Sequence, residues 1–333
     1  MKKILRYLLS LGLAVAFLYW AFSGIDLGSV WDAASDASPG WLAIIVATTL
    51  CTVALRAWRW VILLRGVTTT VTVTDATLAL AICYTANIVV PRAGEAARAL
   101  SLNWQRGVNI SATLGTVVVE RILDMVWLIF FVGLSLALLP GQLEAEYPGL
   151  TSGALLMLGG CALLAGLLGY VCVKGDDGIH FVHQQIARVS TRLANPAAEI
   201  LRKFVIGLSS VRGHGSYLKI LLLSAALNGG YILIIYESFK AFHLEVAPLG
   251  LDAAAAIVVM AVSSIGIVIV TPGGIGSYHF LFANTLEVLY NVDAATALAC
   301  ATAVHALANL TYLTLGLPAL LIQRHRASQR AAD

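Results

Sequence analysis

The apolar runs of this sequence are long enough to cross a lipid bilayer, which takes about 20 residues of helix. Of the 333 residues 59% are hydrophobic and 12% are charged, whereas soluble domains carry about 25% charged residues. The sequence therefore predicts an all-α polytopic membrane protein, a single transmembrane domain over 1–333. The first run is expected to be a retained span and not a cleaved signal peptide. Six full spans are predicted at 4–22, 41–64, 110–139, 150–173, 216–239 and 294–322.

Two further apolar segments stop early. Residues 76–90 end at Pro91, and residues 253–271 end in the letters TPGG. A short, partly apolar helix is predicted after each stop, at about 93–106 and 275–290. Each pair either crosses the membrane or forms a re-entrant helical hairpin that enters and leaves on one side.

The positions of lysine and arginine decide between these topologies, because cytoplasmic loops are enriched in both. With the N-terminus inside and both hairpins re-entrant, 17 of the 21 basic residues are cytoplasmic, and Lys240 alone lies outside. Arg56, Arg59 and Arg121 fall within spans. Crossing hairpins would place the basic segment 174–219 outside. The pattern thus predicts two re-entrant hairpins and cytoplasmic termini in a bacterial cytoplasmic (inner) membrane.

The same order of segments occurs twice, at 41–139 and 216–322, and Pro91 and Pro272 are 181 residues apart. Three crossings separate the two units, so the second is expected to be inverted. Secondary transporters use such repeats and bind substrate where their broken helices meet. Duplication for packing alone is the alternative. The segment 174–214 is expected to be an amphipathic connector on the cytoplasmic surface.

The two breaks are candidate anion sites. A helix that stops in lipid leaves unpaired backbone groups, so each break must face protein or water. A new helix begins after each break, and helix N-termini favour phosphate groups. The glycines after Pro272, which are Gly273, Gly274 and Gly276, allow close backbone approach. Arg92 adds a full charge. Alternatively, Arg92 and Glu95 form an ion-pair group with Arg98 at the cytoplasmic mouth.

Charged residues recur within the span 110–139. Glu120 and Asp124 share one helix face, and Arg121 lies beside them. Charges inside a bilayer are costly and are functional candidates by default. The alternative is a structural ion pair from Glu120 to Arg92 or Arg98.

Several other polar residues within the spans are assigned structural roles. Arg56 and Arg59 are expected to extend towards the membrane surface, since long basic side chains can do so. The asparagines Asn87, Asn228 and Asn309 are expected to hold helices together.

His279 and His305 are the candidate titrating groups. Histidine changes charge near neutral pH, so the pair could carry a proton or bind phosphate, with a rate that changes between about pH 5.5 and 7.5. Core packing is the alternative. No metal-ligand spacing, cofactor motif or catalytic motif is present, so neither a metal, a cofactor nor an enzymatic activity is expected.

Three stretches, PRAGEAARALSL, VVVERILDMVWL and TPGGIGSYHFLF, resemble the flippase-like membrane part of lysylphosphatidylglycerol synthases. The resemblance covers about residues 5–325 and implies lipid movement between leaflets. Many members have glutamate where this chain has His279, and arginine near His305. The aminoacyltransferase domain is not in the chain, so synthesis of lysyl-lipid by this chain alone is not expected. The resemblance implies motif roles for Arg92, Gly94, Glu95, Arg98, Glu120, Arg121, Asp124, Pro272, Gly273, Gly274 and Gly276.

Together these patterns favour translocation of an amphiphilic lipid with a phosphate-bearing headgroup. The expected partners are membrane lipids and a lipid or glycan synthase, with no nucleic acid. The alternatives are a carrier of small anions or amino acids, and an accessory membrane subunit of lipid or glycan synthesis.

Overall fold

The computed structural model describes residues 2–208, 214–269 and 271–330, and these ranges contain helices and no strand. The helices are α1 Lys2–Phe22, α2 Leu27–Ser35, α3 Pro39–Leu64, α4 Val73–Val89, α5 Ala93–Arg106, α6 Ile110–Leu138, α7 Gln142–Glu146, α8 Leu150–Lys174, α9 Asp176–Val189, α10 Thr191–Leu208, α11 His214–Ala241, α12 Ala253–Val268, α13 Ser277–Tyr290 and α14 Ala294–Arg330.

The all-helical class is confirmed, and each of the six predicted spans falls on one helix. Three helical stretches in the described ranges are long and apolar enough to cross a membrane: Pro39–Leu64, Tyr217–Ala241 and Ala294–Gln323. A fourth candidate is the stretch Leu11–Phe22 with α2, which is bent by 81°. The short helices α2 and α7 were not predicted.

Local sequence explains where the first interrupted helix begins and ends. Thr72 and Asp75 form a capping box at the start of α4, each side chain bonding the other's backbone N–H. Val90, just before Pro91, is extended because proline disfavours the helical region for the preceding residue. Arg92 is left-handed, with φ 61°, and α5 begins at the next residue.

Helices α4 and α5 form an antiparallel hairpin. At its open end, Arg106 Nη2 lies 2.8 Å from Asp75 Oδ2. At its turn, the Gly94 N–H donates to Asn87 Oδ1 at 2.7 Å. A side chain on Gly94 would collide with the Cys83 carbonyl oxygen, so the close crossing requires glycine.

Helices α12 and α13 form a second hairpin, joined by a 3₁₀ turn at Pro272–Gly274. The Ser277 hydroxyl donates to the Gly266 carbonyl at 2.6 Å where the helices cross. The open end of this second hairpin lies at the other end of the bundle from the open end of the first hairpin. Leu251 and Val292, which flank the hairpin, share a buried cluster with Ala241 at the end of α11.

The remaining helices enclose the two hairpins. Helix α3 packs along α11, with the Ser38 N–H donating to the Ala241 carbonyl at 2.8 Å. Helix α14 packs on α4 and α13, while α12 packs on α6. Helix α1 packs on α13 and on the 3₁₀ turn.

The predicted connector contains two helices, α9 and α10, which pack on α8 and α6. Their apolar faces bury Ile179, Val182 and Leu201 against Val171. The part of the connector at residues 209–213 lies outside the described residues.

Candidate functional site

A buried network of ion pairs lies between α3, α5 and α6. Arg98 Nη1 donates to Glu120 Oε2 at 2.9 Å. Arg56 Nη2 and Arg59 Nη2 donate to the two oxygens of Asp124, at 2.6 and 2.7 Å. Arg59, Arg98 and Glu120 have no exposed surface, and Arg56 is 9% exposed. We call these residues, together with Arg121, the arginine cluster.

Arg121 forms the open edge of this cluster. Its guanidinium nitrogens lie 3.5 Å from Glu120 and 3.6 Å from Asp124, and its side chain is 41% exposed. The cluster then holds four guanidiniums and two carboxylates, an excess of two positive charges. Buried charges are costly unless they are paired, so this excess needs explanation.

The expectation for Arg56 and Arg59 was wrong. Arg56 lies eight residues, or about 12 Å of helix, inside the Leu64 end of α3. Arg59 Nη1 also donates to the Ser224 hydroxyl at 3.0 Å, which fixes it between α3 and α11. Because α6 presents carboxylates to this face of α3, the guanidiniums remain inside and do not extend to the surface.

Several polar atoms of the cluster have no hydrogen-bond partner in the described part of the chain. They are Nε of Arg59 and Arg121 and Nε and Nη2 of Arg98, whereas Nε of Arg56 and Oε1 of Glu120 lie 3.3 Å apart as an ion pair. Buried polar groups are normally paired, so unpaired donors beside an excess of positive charge indicate a place for an anion.

Tyrosines surround the guanidinium of Arg56. Arg56 Nη1 donates to the Tyr84 hydroxyl at 3.3 Å, and the Tyr84 ring stacks on Tyr312 at 4.3 Å between centroids. Tyr231 also lies within electrostatic range of Arg56. With Asp124, these residues bring five helices together: α3, α4, α6, α11 and α14.

The first break lies next to the cluster but is not paired with it. Arg92 is exposed, and no carboxylate of the described residues lies within ion-pair distance of it. Glu95 Oε2 is buried without a hydrogen-bond partner among these residues. The alternative predicted from the sequence, an ion pair between Glu120 and Arg98, is present. Asn87 caps α5 through Gly94 within the hairpin.

The second break meets the first. A Cβ at Gly273 would lie 3.4 Å from the Ile88 Cα, just before the break at Pro91. Gly273, Gly274 and Gly276 have φ of 59°, 76° and 87°, the left-handed region that favours glycine. The glycines are therefore required by backbone conformation, whatever their role towards a ligand.

The two histidines lie together behind the second break, with ring centroids 4.7 Å apart. His305 Nε2 lies 2.9 Å from the Gly273 carbonyl, which can only accept, so this nitrogen carries the hydrogen. His305 Nδ1 lies 3.2 Å from Asn309 Nδ2, and His279 Nδ1 accepts the Gly276 N–H at 3.3 Å. Protonation at either Nδ1 would break one of these bonds. This geometry favours structural rings, and their titration in function stays a prediction.

An apolar cavity of about 490 Å³ lies between α6, α7, α8, α12 and α13. Leu128, Val132, Met157, Val262 and Leu281 are among its lining residues. Its lining would suit a hydrocarbon chain better than a polar group.

Residues 7–316 match the family described as "Lysylphosphatidylglycerol synthase TM region". The chain belongs to this family. The family resemblance of the three motif stretches is thereby confirmed, and with it a membrane protein. The lysylphosphatidylglycerol synthase TM region accounts for most of this chain, including both hairpins and the arginine cluster.

The chain is also 24% identical to "Glycosyltransferase AglD" of Haloferax volcanii, over 93% of this chain and 52% of that protein. It thus spans about half the length of the curated relative that it matches. No solved structure matches the chain.

Sequence reasoning missed the tyrosines of the site and one further buried carboxylate. The tyrosines were not singled out, because nothing in the sequence places Tyr84, Tyr231 and Tyr312 together. Glu237 was also missed: it is 3% exposed, and its carboxylate accepts from the Thr48 hydroxyl at 2.7 Å. The arginines did leave a signal. Arg56 and Arg59 share one helix face, as Glu120 and Asp124 do.

Proposed function

We propose that this protein moves a phosphate-bearing lipid between the two leaflets of the membrane. The observation that carries the proposal is the buried arginine cluster, with its excess of two positive charges and its unpaired N–H groups. A lipid phosphate supplies the missing negative charge. Arginine suits this role because its planar guanidinium can bind two phosphate oxygens at once.

The packing of the helices supports the finer architecture that we propose, six full spans and two re-entrant hairpins in an inverted repeat. The last span of each unit packs on the first hairpin helix of the other unit, α14 on α4 and α6 on α12. The hairpins open at opposite ends of the bundle and their breaks meet. This is the arrangement in which secondary transporters bind substrate near the membrane midplane.

The proposed movement involves no bond making or breaking, and we propose that the chain is not an enzyme. The phosphate occupies the arginine cluster while the acyl chains stay in lipid or in the apolar cavity beside α6 and α12. Each methylene group is more stable in an apolar environment than in water by about 0.8 kcal/mol, so the tails need not enter the charged path.

A second candidate function is an accessory role in glycan synthesis. The observation in its favour is the relative named a glycosyltransferase, of which this chain matches about half. In that case the lipid would be a carrier of sugar phosphate, and a synthase would be the partner. Co-purification of the chain with a sugar-transfer activity from membranes of its source would support this role.

The test of lipid movement uses protein reconstituted in liposomes with a headgroup-labelled phospholipid in the inner leaflet. We expect the label to become accessible to an external quencher faster than in empty liposomes. Free inorganic phosphate is the second arm, since a small-anion carrier would release trapped phosphate and leave the lipid unmoved. Release of phosphate without lipid movement would contradict the proposal.

The proposed topology has its own test, in a background without the five native cysteines. Cysteines at Ala145 and Val246 should react with an impermeant thiol reagent from outside, and cysteines at Trp104 and Gln184 only from inside. All four positions are exposed. Reaction at Trp104 from outside would exclude a re-entrant first hairpin.

A further inference from the structure

We infer that the headgroup taken by this site bears hydroxyl groups and no positive charge, as a glycosyl or polyol phosphate does. The inference rests on the proposed function and names its substrate class. It is carried by the tyrosines around Arg56 and by the charge balance of the arginine cluster.

The tyrosine hydroxyls adjoin the position of a bound phosphate. The Tyr84 hydroxyl is 3.3 Å from Arg56 Nη1, and the rings of Tyr84 and Tyr312 are stacked. Tyr231 and Tyr312 both lie within electrostatic range of Arg56 and of Tyr84. A phosphate that accepts from the second N–H of Arg56 Nη1, the nitrogen that bonds Tyr84, would therefore have its headgroup beside these rings.

Two of these hydroxyls are available to a ligand. Within the described residues, the side-chain hydroxyls of Tyr231 and Tyr312 make no hydrogen bond. The bond from Thr85 to Tyr312 goes to the backbone carbonyl of Tyr312 and leaves its hydroxyl free. A tyrosine hydroxyl both donates and accepts, which matches a sugar or polyol hydroxyl. A site built to bond hydroxyls also disfavours analogues that lack them, since its own polar groups are then left unpaired.

The charge balance disfavours a cationic headgroup. Both oxygens of Asp124 are bonded to arginines, Glu120 Oε2 is bonded to Arg98, and Glu120 Oε1 lies within ion-pair distance of Arg56, Arg59 and Arg121. Glu95 adds one further carboxylate beside the first break, and counting it still leaves an excess of one positive charge. An amine on the headgroup would meet like charges and gain no free counter-charge in the cluster.

The test compares diester lipids with the same acyl chains, so that the phosphate charge is constant. The probes are phosphatidylinositol, phosphatidylmethanol and phosphatidylethanolamine, which carry a hydroxylated, a methyl and a cationic headgroup. Binding to the purified full chain in detergent is measured by native mass spectrometry. We expect phosphatidylinositol to bind about tenfold more tightly than phosphatidylmethanol, as two added neutral hydrogen bonds would give, and phosphatidylethanolamine most weakly.

The variants Tyr231→Phe and Tyr312→Phe remove the two hydroxyls and keep the rings. Each should reduce the preference for phosphatidylinositol over phosphatidylmethanol several-fold. Tyr236→Phe is the matched control, since Tyr236 lies on the same helix as Tyr231 but its ring faces Lys240, at 5.2 Å. This control should keep the wild-type preference.

The possible failures are distinguishable. If none of the lipids binds above an empty-detergent background, the proposed function itself fails. If phosphatidylinositol and phosphatidylmethanol bind equally, or if phosphatidylethanolamine binds as tightly, the cluster is a general phosphate site and the headgroup inference is overturned. A preference that both phenylalanine variants retain would overturn the assignment to these tyrosines.

Discussion

Different kinds of side chain lie behind the breaks of the two interrupted helices. Behind the first break lie charged groups, with Arg98 and Glu120 paired at 2.9 Å in a fully buried site. Behind the second break lie neutral groups, with the rings of His279 and His305 4.7 Å apart and bonded to the backbone of the break itself. The comparison teaches that one break is backed by buried charge, and the other by neutral rings that bond its backbone.

The two breaks also differ in which residues adopt the left-handed backbone conformation. The first break places a non-glycine residue, Arg92, in the left-handed region, whereas the second uses Gly273, Gly274 and Gly276 there. Glycine adopts this conformation without strain, but an arginine does so at a cost of about 1–3 kcal/mol. A charged side chain at such a costly position is consistent with a functional requirement for that charge.

Removal of the buried charge in the first hairpin should have the largest effect. Arg98→Ala leaves Glu120 without its hydrogen-bonded partner, and breaking a buried ion pair typically costs about 3–5 kcal/mol. We expect both a large loss of thermal stability in detergent and loss of lipid movement. The exposed Arg65→Ala at the end of α3 is the control and should change neither. An Arg98→Ala protein as stable as the wild type would show that this pair does not hold the hairpin.

Adding a methyl group at the point where the two helices cross should destabilise both hairpins. Gly94→Ala collides with the Cys83 carbonyl, and a Cβ at Gly266 would lie 2.7 Å from the Ser277 carbonyl oxygen. Each substitution should destabilise the fold by about 1–3 kcal/mol, measured by thermal unfolding. Gly133→Ala in α6, where a Cβ meets open space, should instead stabilise by roughly 0.5–1 kcal/mol. If Gly266→Ala alone is tolerated, the two hairpins are not built alike.

Arg92 should matter for transport and not for stability, because it is exposed and has no ion-pair partner among the described residues. We expect Arg92→Ala to unfold at the wild-type temperature and to lower the transport rate roughly 10- to 100-fold, the loss of one charge-assisted hydrogen bond. Arg92→Lys should be partly active, since lysine keeps the charge but not the two-pronged geometry. Wild-type transport by Arg92→Ala in liposomes would remove the first break from the phosphate path.

The second break should show the smallest effects. His279→Gln can still accept the Gly276 N–H and should be nearly neutral, while His279→Leu leaves that group unpaired and should cost about 1–3 kcal/mol. With both rings structural, the initial transport rate should keep its pH profile between about pH 5.5 and 7.5 in the glutamine variants of His279 and His305. The lipid's own titration is measured separately. A profile that becomes flat in either variant would support the predicted proton-carrying role.

Much of the fold could be predicted, because break positions depend on local chemistry. Pro91 forces Val90 out of the helical region, and Pro272 with its glycines cannot continue α12, so the stops are encoded where they occur. The short helix α2 was missed because it follows α1 after a bend of 81°, which no proline marks.

The charged face of the site was partly visible in the sequence, and its assembly was not. Spacing alone places Glu120 and Asp124 on one face of α6, and Arg56 and Arg59 on one face of α3. That these faces meet depends on the packing of helices far apart in the chain, and so does the position of Tyr84, Tyr231 and Tyr312 around Arg56. Sequence by itself therefore determined the membrane class, the helices and their breaks, since these follow from local hydrophobicity and backbone sterics. Only the tertiary structure decided that arginines expected at the surface lie buried, because a buried charge is stable only where another helix brings its counter-charge.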